Sequence, residues 1–226
     1  MTRRPMRGNL RRPPEGGTPT GTLPLSNLPY RIAALCYLFD DQDRVLLLHR
    51  HKKPNRHLYS PVGGKLETSI GESPTSCAVR EIEEETGLVV SPSELHLTGI
   101  VSETGYQGES HWLMFLYEVT HPVQVERTTF DEGELEWHTR GEISSLAIPI
   151  TDRHIIWPMF WRYRGEFFAA HIDCTGPTSG GEDFGGNSDG GHSGEDSVAL
   201  SGNTSGSISG LTWRLEQPWK DAPNPE

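Results

Sequence analysis

Residues 64–88 read GKLETSIGESPTSCAVREIEEETGL, and this stretch decides the fold. Ser73 followed by Pro74 is a helix-start signal: a hydroxyl for the N-cap, then proline at the first helical position. Residues 75–86 hold no further Gly or Pro, and Gly87 supplies the stop. On that helix Glu81 stands three and four positions before Glu84 and Glu85, which puts three carboxylates on roughly one face. Like charges at this spacing repel by about 0.2–0.5 kcal/mol per pair. They also crowd toward the helix C-terminus, where the macrodipole disfavours them. The arrangement is locally costly, and a hard divalent cation with a preference for oxygen ligands relieves it. Glu83 points away from that face, Arg80 sits four residues before Glu84 as a charge-assisted partner, and Ala78 and Ile82 form the apolar side. Taken alone, the same glutamates describe a solvated acidic helix.

Outward from the helix the chain alternates strands and turns. Residues 31–39 (RIAALCYLF) read as a buried strand and 40–43 (DDQD) as its turn. Residues 44–50 (RVLLLHR) form the returning strand, followed by a basic loop with Lys52, Lys53 and Arg56. After the helix, 88–90 reads as a short strand, 95–101 and 111–119 as longer ones, and 131–137 as an acidic loop. Residues 151–163 form a second helix, and 167–173 with 211–216 form two strands of a hairpin with an expanded turn. This order favours an α/β (α+β) sandwich, with helices packed on a mixed sheet. Residues 1–28 read as a disordered Arg/Pro/Gly-rich tail, 29–173 as the folded domain and 174–210 as a disordered Gly/Ser/acidic insertion. Residues 211–217 return as a terminal strand, and 218–226 form a flexible tail.

Composition excludes several functional classes. The 226 residues carry 20 Lys and Arg against 31 Asp and Glu, a net charge of −11, which disfavours duplex nucleic acid as a partner. It leaves a phosphorylated small molecule open, because a bound cation reverses the local field. Cys36, Cys77 and Cys174 are widely spaced and odd in number, so a reducing compartment is expected. No apolar run is long enough for a membrane span and none follows the N-terminal arginines, so a cytoplasmic protein without membrane contact is expected. The histidines, including His49, His57, His111 and His138, show no metal-ligand spacing. Trp112, Phe115, Tyr117 and Trp137 are read as core before base-stacking residues.

The segment from Gly64 onward resembles the Nudix box, G-x5-E-x7-R-E-U-x-E-E-x-G-U with U aliphatic. Glu72, Arg80, Glu81, Ile82, Glu84, Glu85, Gly87 and Leu88 occupy the defined positions, while two extra residues separate Gly64 from Glu72. The resemblance implies an α/β/α sandwich over residues 30–163. It implies Mg²⁺, with Mn²⁺ as a substitute, held by Glu81, Glu84, Glu85 and the Gly64 carbonyl. Arg80 would orient the glutamates, and Glu72 would brace the loop before the helix. A further carboxylate from a distal loop would serve as ligand or base, with Glu132, Glu134 and Glu136 as candidates and Glu132 favoured. Lys65, Lys52, Lys53 and Arg56 would neutralise phosphate charge. The activity implied is hydrolysis of a diphosphate linkage in a nucleoside diphosphate derivative, a (deoxy)nucleoside triphosphate or related nucleotide first. The alternative is a non-catalytic domain that only binds such a ligand. An isomerase of the same fold would need an active-site cysteine, and Cys36 lies in an apolar run that reads as a buried strand.

Overall fold

The structure, a computed structural model, describes residues 25–52, 55–126, 128–176, 205–208 and 210–218. The expected N-terminal tail up to residue 24, most of the Gly/Ser insertion, Lys53 and the last eight residues lie outside the described residues. Residues 25–28 do not behave as a tail, because Leu25–Asn27 makes a 3-10 turn and Leu28 is buried.

The strands are β1 Tyr30–Tyr37, β2 Val45–Arg50, β3 Tyr59–Lys65, β4 Leu95–Tyr106, β5 Ser110–Val119, β6 Thr129–Phe130, β7 Gly133–His138, β8 Phe168–Asp173, β9 Ser205–Ile208 and β10 Leu211–Pro218. They form one mixed sheet in the order β6-β7-β2-β3-β1-β5-β4-β8-β10-β9. The central strand β1 runs antiparallel to β3 and parallel to β5. Its residues are apolar on both faces, as a strand covered on both sides requires.

One face carries α1 (Pro74–Thr86), whose Cys77, Ala78 and Ile82 pack with Cys36, Leu46 and Val62. The other face carries the helical segment Asp152–Ile156 continuing into Trp157–Arg162 (α2), where Phe160 stacks on Tyr37 at 4.1 Å between centroids. The result is an α/β/α sandwich. The second helix opens as a π-turn, with the Trp157 amide donating to the Asp152 carbonyl. Pro158 follows immediately and has no N–H for the next helical bond, so the irregularity falls where the ladder is already broken.

Three sequence expectations differ from the structure. Residues 88–90 are not a strand: Val89 is 79% exposed, and the segment is without regular structure despite its β-branched pair. The stretch 131–137 is not a plain acidic loop, because 133–138 is strand β7, paired antiparallel with β2. The alternation Glu134, Leu135, Glu136, Trp137 turns Leu135 into the core, so the period of two outweighs the weak strand propensity of glutamate. The strands 168–173 and 211–218 are antiparallel neighbours as a hairpin requires, but 205–208, inside the segment expected to be disordered, form a further strand, β9, that pairs with β10 on its other side. Among the described residues no helix is long and apolar enough to cross a membrane.

Candidate active site

The site forms where β3 meets α1. Ser73 caps the helix by accepting from the Ser76 amide, Pro74 opens it, and Gly87 closes it in the left-handed region at φ 79°. Two glycines then let strand and helix touch. Gly63 has φ 141°, and a Cβ there would run into the Ala34 carbonyl of the neighbouring strand. A Cβ on Gly64 would collide with the Glu81 carboxylate, so only glycine leaves that carboxylate against the strand. The two extra residues before Glu72 are absorbed in a 3-10 turn, Thr68–Ile70. Glu72 closes this loop by accepting the Glu67 amide at 2.7 Å.

Arg80 is the hub of the cluster. Its Nε and Nη2 grip the two oxygens of Glu72 at 2.8 and 3.0 Å, a bidentate pair. Nη1 donates to Glu81 at 2.7 Å and to Glu84 at 3.0 Å, and Nη2 reaches the Lys65 carbonyl at 3.2 Å. These contacts push the Arg80 pKa up, and the same guanidinium holds Glu72 below the usual carboxylate range.

The carboxylates differ in burial. Glu85 is buried, accepts the Gly63 amide at 3.0 Å, and is pushed up to about 8, chiefly by desolvation. Glu81 is raised for the same reason, with the Glu84 and Glu132 charges adding to it. Glu84 is mostly exposed at 59%. Glu132 reaches the cluster from the turn between β6 and β7: its field raises both Glu81 and Glu85, and Arg50 holds its carboxylate at 3.2 Å. Glu134 lies instead beside His51, and Glu136 accepts from the Tyr59 hydroxyl at 3.0 Å. Partly desolvated carboxylates that raise one another's pKa, beside an open backbone edge, suit a hard dication.

A cavity of about 300 Å³ opens from this cluster and runs along β1, β4 and β5. Gly63, Gly64, Lys65, Glu81, Glu132 and Arg50 line its acidic end. Of the basic residues read from the sequence, Lys65 therefore faces the cavity, where its ammonium lies 6.0 Å from the Trp112 ring centre. Lys52 and Arg56 are exposed and are not among the lining residues. Arg50 carries no motif and was missed. Also missed were Glu103 on β4 and Asp152 at the start of the second helix, both buried at the far end of the cavity. Trp112 is half-buried and lines the cavity, whereas Phe115, Tyr117 and Trp137 pack with the α1-side core. The histidines hold one surprise. His49, His51 and Glu134 bring ligand atoms within 4.8 Å of one another where β2 ends and β7 begins, through i, i+2 spacing and the cross-strand pair His49–Glu134.

A family model described as NUDIX domain matches residues 29–157. The uncharacterized Nudix hydrolase YvcI of Bacillus subtilis (strain 168) is 33% identical over 122 residues, 54% of this chain and 73% of that protein. The mutator MutT protein of Bacillus halodurans superposes with a TM-score of 0.51 at 29% identity, covering 64% of this chain and 90% of that one. MutT of Methanosarcina mazei Go1 shares the fold, with a TM-score of 0.50 at 22% identity over 61% of this chain and 94% of that one. The chain belongs to the NUDIX family. Within that class it is a hydrolase that acts on acid-anhydride, pyrophosphate-type bonds.

Two consequences follow from the local physics. Gly64→Ala is expected to cost about 100-fold in kcat, because the Glu81 carboxylate must move by about an ångström. The displaced atoms end a flexible side chain, so the melting temperature should stay within a few degrees of wild type; a large loss of stability with activity retained would contradict this. The second concerns pH. Glu85 and Glu103 are raised to about 8 and Asp152 to about 7 by burial, so the folded chain keeps protons the unfolded chain releases above pH 4–5. Metal-free stability should therefore fall as pH rises from about 5 to 8 and level off beyond. Thermal melts in EDTA should show a decline of about 5 °C or more over that span. A flat profile would mean these acids are not buried.

Proposed function

We propose that this hydrolase is Mg²⁺-dependent and cleaves the diphosphate linkage of a nucleoside diphosphate derivative, a nucleoside triphosphate or related nucleotide first. The observation that carries the reading is the convergence of Glu81, Glu84, Glu85 and Glu132, of which Glu81 and Glu132 line a cavity that also presents Arg50 and Lys65. Glu81, Glu84, Glu85 and the Gly64 carbonyl would hold the metal, which supplies charge neutralisation at the diphosphate and acidity to a water. Mn²⁺ offers the same charge and oxygen preference.

The side chains divide the remaining tasks. Arg80 positions Glu81 and Glu84 through its Nη1, and Glu72 in turn fixes the guanidinium. Lys65 and Arg50 counter the charge of the phosphates at the cavity mouth. Glu132, oriented by Arg50, accepts the proton of the attacking water, a task that typically contributes 10²–10⁴-fold. A reducing, cytoplasmic setting fits the free, buried cysteines Cys36, Cys77 and Cys174.

The test is release of phosphate or pyrophosphate from a panel of nucleoside triphosphates, nucleotide sugars and dinucleoside polyphosphates, with Mg²⁺ and with EDTA. Turnover that requires the metal is expected. Absence of turnover across the panel, with nucleotide binding intact, would turn the reading to a ligand-binding domain.

A further inference from the structure

Away from the glutamate cluster, three ligand-type side chains converge near the edge of the sheet. His49 on β2 and Glu134 on β7 are a cross-strand pair, so they leave the sheet on the same side. His51 follows His49 at the spacing that returns a side chain to that side. It is the side covered by α2: Leu47 and Val45, two and four residues before His49, pack with Tyr37 and Phe160, whereas Leu46 and Leu48 pack with Ile82 of α1. Arg50, between the two histidines, turns the other way, where its charge bears on Glu85. The strand β2 thus separates the two imidazoles from the glutamate cluster.

One nitrogen of each imidazole and one oxygen of Glu134 lie within 4.8 Å of one another. Some point is then within about 2.8 Å of all three, against about 2.0–2.2 Å for a zinc bond to histidine or carboxylate, so each side chain closes by less than an ångström. His51 Nε2 stands 3.9 Å from Glu134 Oε1, too far for a hydrogen bond. Both of these side chains are about half exposed, so their rotamers can adjust. His49 is the fixed member. Its ring stacks on Tyr59 at 4.6 Å and 17°, and the Tyr59 hydroxyl is anchored by donating to Glu136 at 3.0 Å.

We propose that His49, His51 and Glu134 bind a divalent transition ion of the zinc class, and that this ion fastens the end of β2 to the start of β7. The donor set decides the class: two imidazoles with one carboxylate suit Zn²⁺, Ni²⁺ or Cu²⁺, whereas Mg²⁺ takes oxygen ligands. Three protein ligands leave a fourth position for water, which the exposure of the site supplies. The fastening has a purpose in this fold. Strand β7 lies next to the edge, with only the two-residue β6 beyond it, and the turn between them carries Glu132. An ion on Glu134 and the two histidines therefore steadies the Arg50–Glu132 pair from the opposite side of the strand. The site stands whatever the substrate is and whatever Glu132 does in turnover.

The experiment is calorimetric titration of the metal-free full chain with Zn²⁺ in millimolar Mg²⁺, for wild type, His49→Phe, His51→Gln, Glu134→Gln and Glu84→Gln. Wild type should take up one zinc ion with micromolar affinity that each of the first three substitutions weakens by about tenfold or more. Glu84→Gln should leave that affinity unchanged, and any zinc held by the glutamate cluster is identified by its loss in this variant. His49→Phe keeps a ring on Tyr59, and the other two histidine-site changes fall at half-exposed positions, so the metal-free melting temperatures should match wild type. Zinc at about a hundredfold excess over its dissociation constant should raise the melting temperature of wild type by about 5 °C more than that of His51→Gln. Unchanged zinc affinity in folded His51→Gln and Glu134→Gln would overturn the site and leave His51 and Glu134 as a surface ion pair. Zinc binding lost only in Glu84→Gln would overturn it as well, and zinc bound at the histidines with no rise in melting temperature would overturn the fastening.

Discussion

Glu84→Gln is expected to reduce metal-dependent turnover on the order of 10³-fold while leaving the melting temperature unchanged within a degree or two. The contrast comes from where Glu84 sits. Its side chain is 59% exposed and accepts from the Arg80 Nη1 at 3.0 Å at the surface of the helix, so the amide removes little that holds the fold together. What it removes is a negative oxygen at a site where several carboxylates converge. If Glu84 is a ligand, the metal concentration for half-maximal activity should rise along with the loss of kcat. Glu85→Ala serves as the comparison. Its oxygen accepts the Gly63 amide, so truncation there leaves that amide unpaired at the strand–helix junction and should lower stability and activity together. Measured kcat, Mg²⁺ dependence and melting temperature for the two variants decide the assignment. Equal activity in Glu84→Gln and wild type would remove Glu84 from the machinery.

The geometry of the glutamate cluster was legible in the sequence because the helix period converts spacing into position. Arg80, Glu81, Glu84 and Glu85 must share a side once Ser73, Pro74 and Gly87 delimit the helix, and Glu72 must lie near its N-terminal turn. Even the two-residue expansion before Glu72 changed only a turn, since the Glu72 carboxylate and the Arg80 fork close the loop from the helix side. The buried acids at the far end of the cavity were not legible. Glu103 lies in IVSETGY and Asp152 in PITDRH, where nothing local marks either as buried or as neighbours. They meet because the 152–162 helix packs on the face of the sheet to which β4 turns Glu103, a long-range outcome that spacing does not encode. Arg50 closes β2 with no motif around it, and becomes informative only when β7 brings the Glu132 turn beside it. The strand β7 was readable by its alternation and was obscured by its charge.

Arg80→Ala is expected to destabilise the protein by about 2–3 kcal/mol and to abolish activity together with it. The stability part comes from Glu72, whose side chain is 7% exposed and whose two oxygens both take hydrogen bonds from Arg80. Truncation leaves that carboxylate desolvated and without its counter-charge. The figure lies below the cost for a fully buried pair because the Arg80 side chain is itself 26% exposed. For a domain of this size it corresponds to a fall in melting temperature of roughly 5–12 °C. Lysine should not rescue it, since a single ammonium cannot hold both Glu72 oxygens while also meeting Glu81 and Glu84. The pH dependence identifies the cause. Arg80 depresses the folded-state pKa of Glu72, so its stabilisation is complete above about pH 4.5 and is lost as pH falls through the depressed value. The gap in stability between wild type and Arg80→Ala should therefore be widest near pH 6–7 and close as the pH drops toward 3. Chemical denaturation at pH 7 and pH 3.5 measures both gaps, and a difference that stays constant between them would place the lost energy in packing around the arginine stem instead of in the Arg80–Glu72 pair.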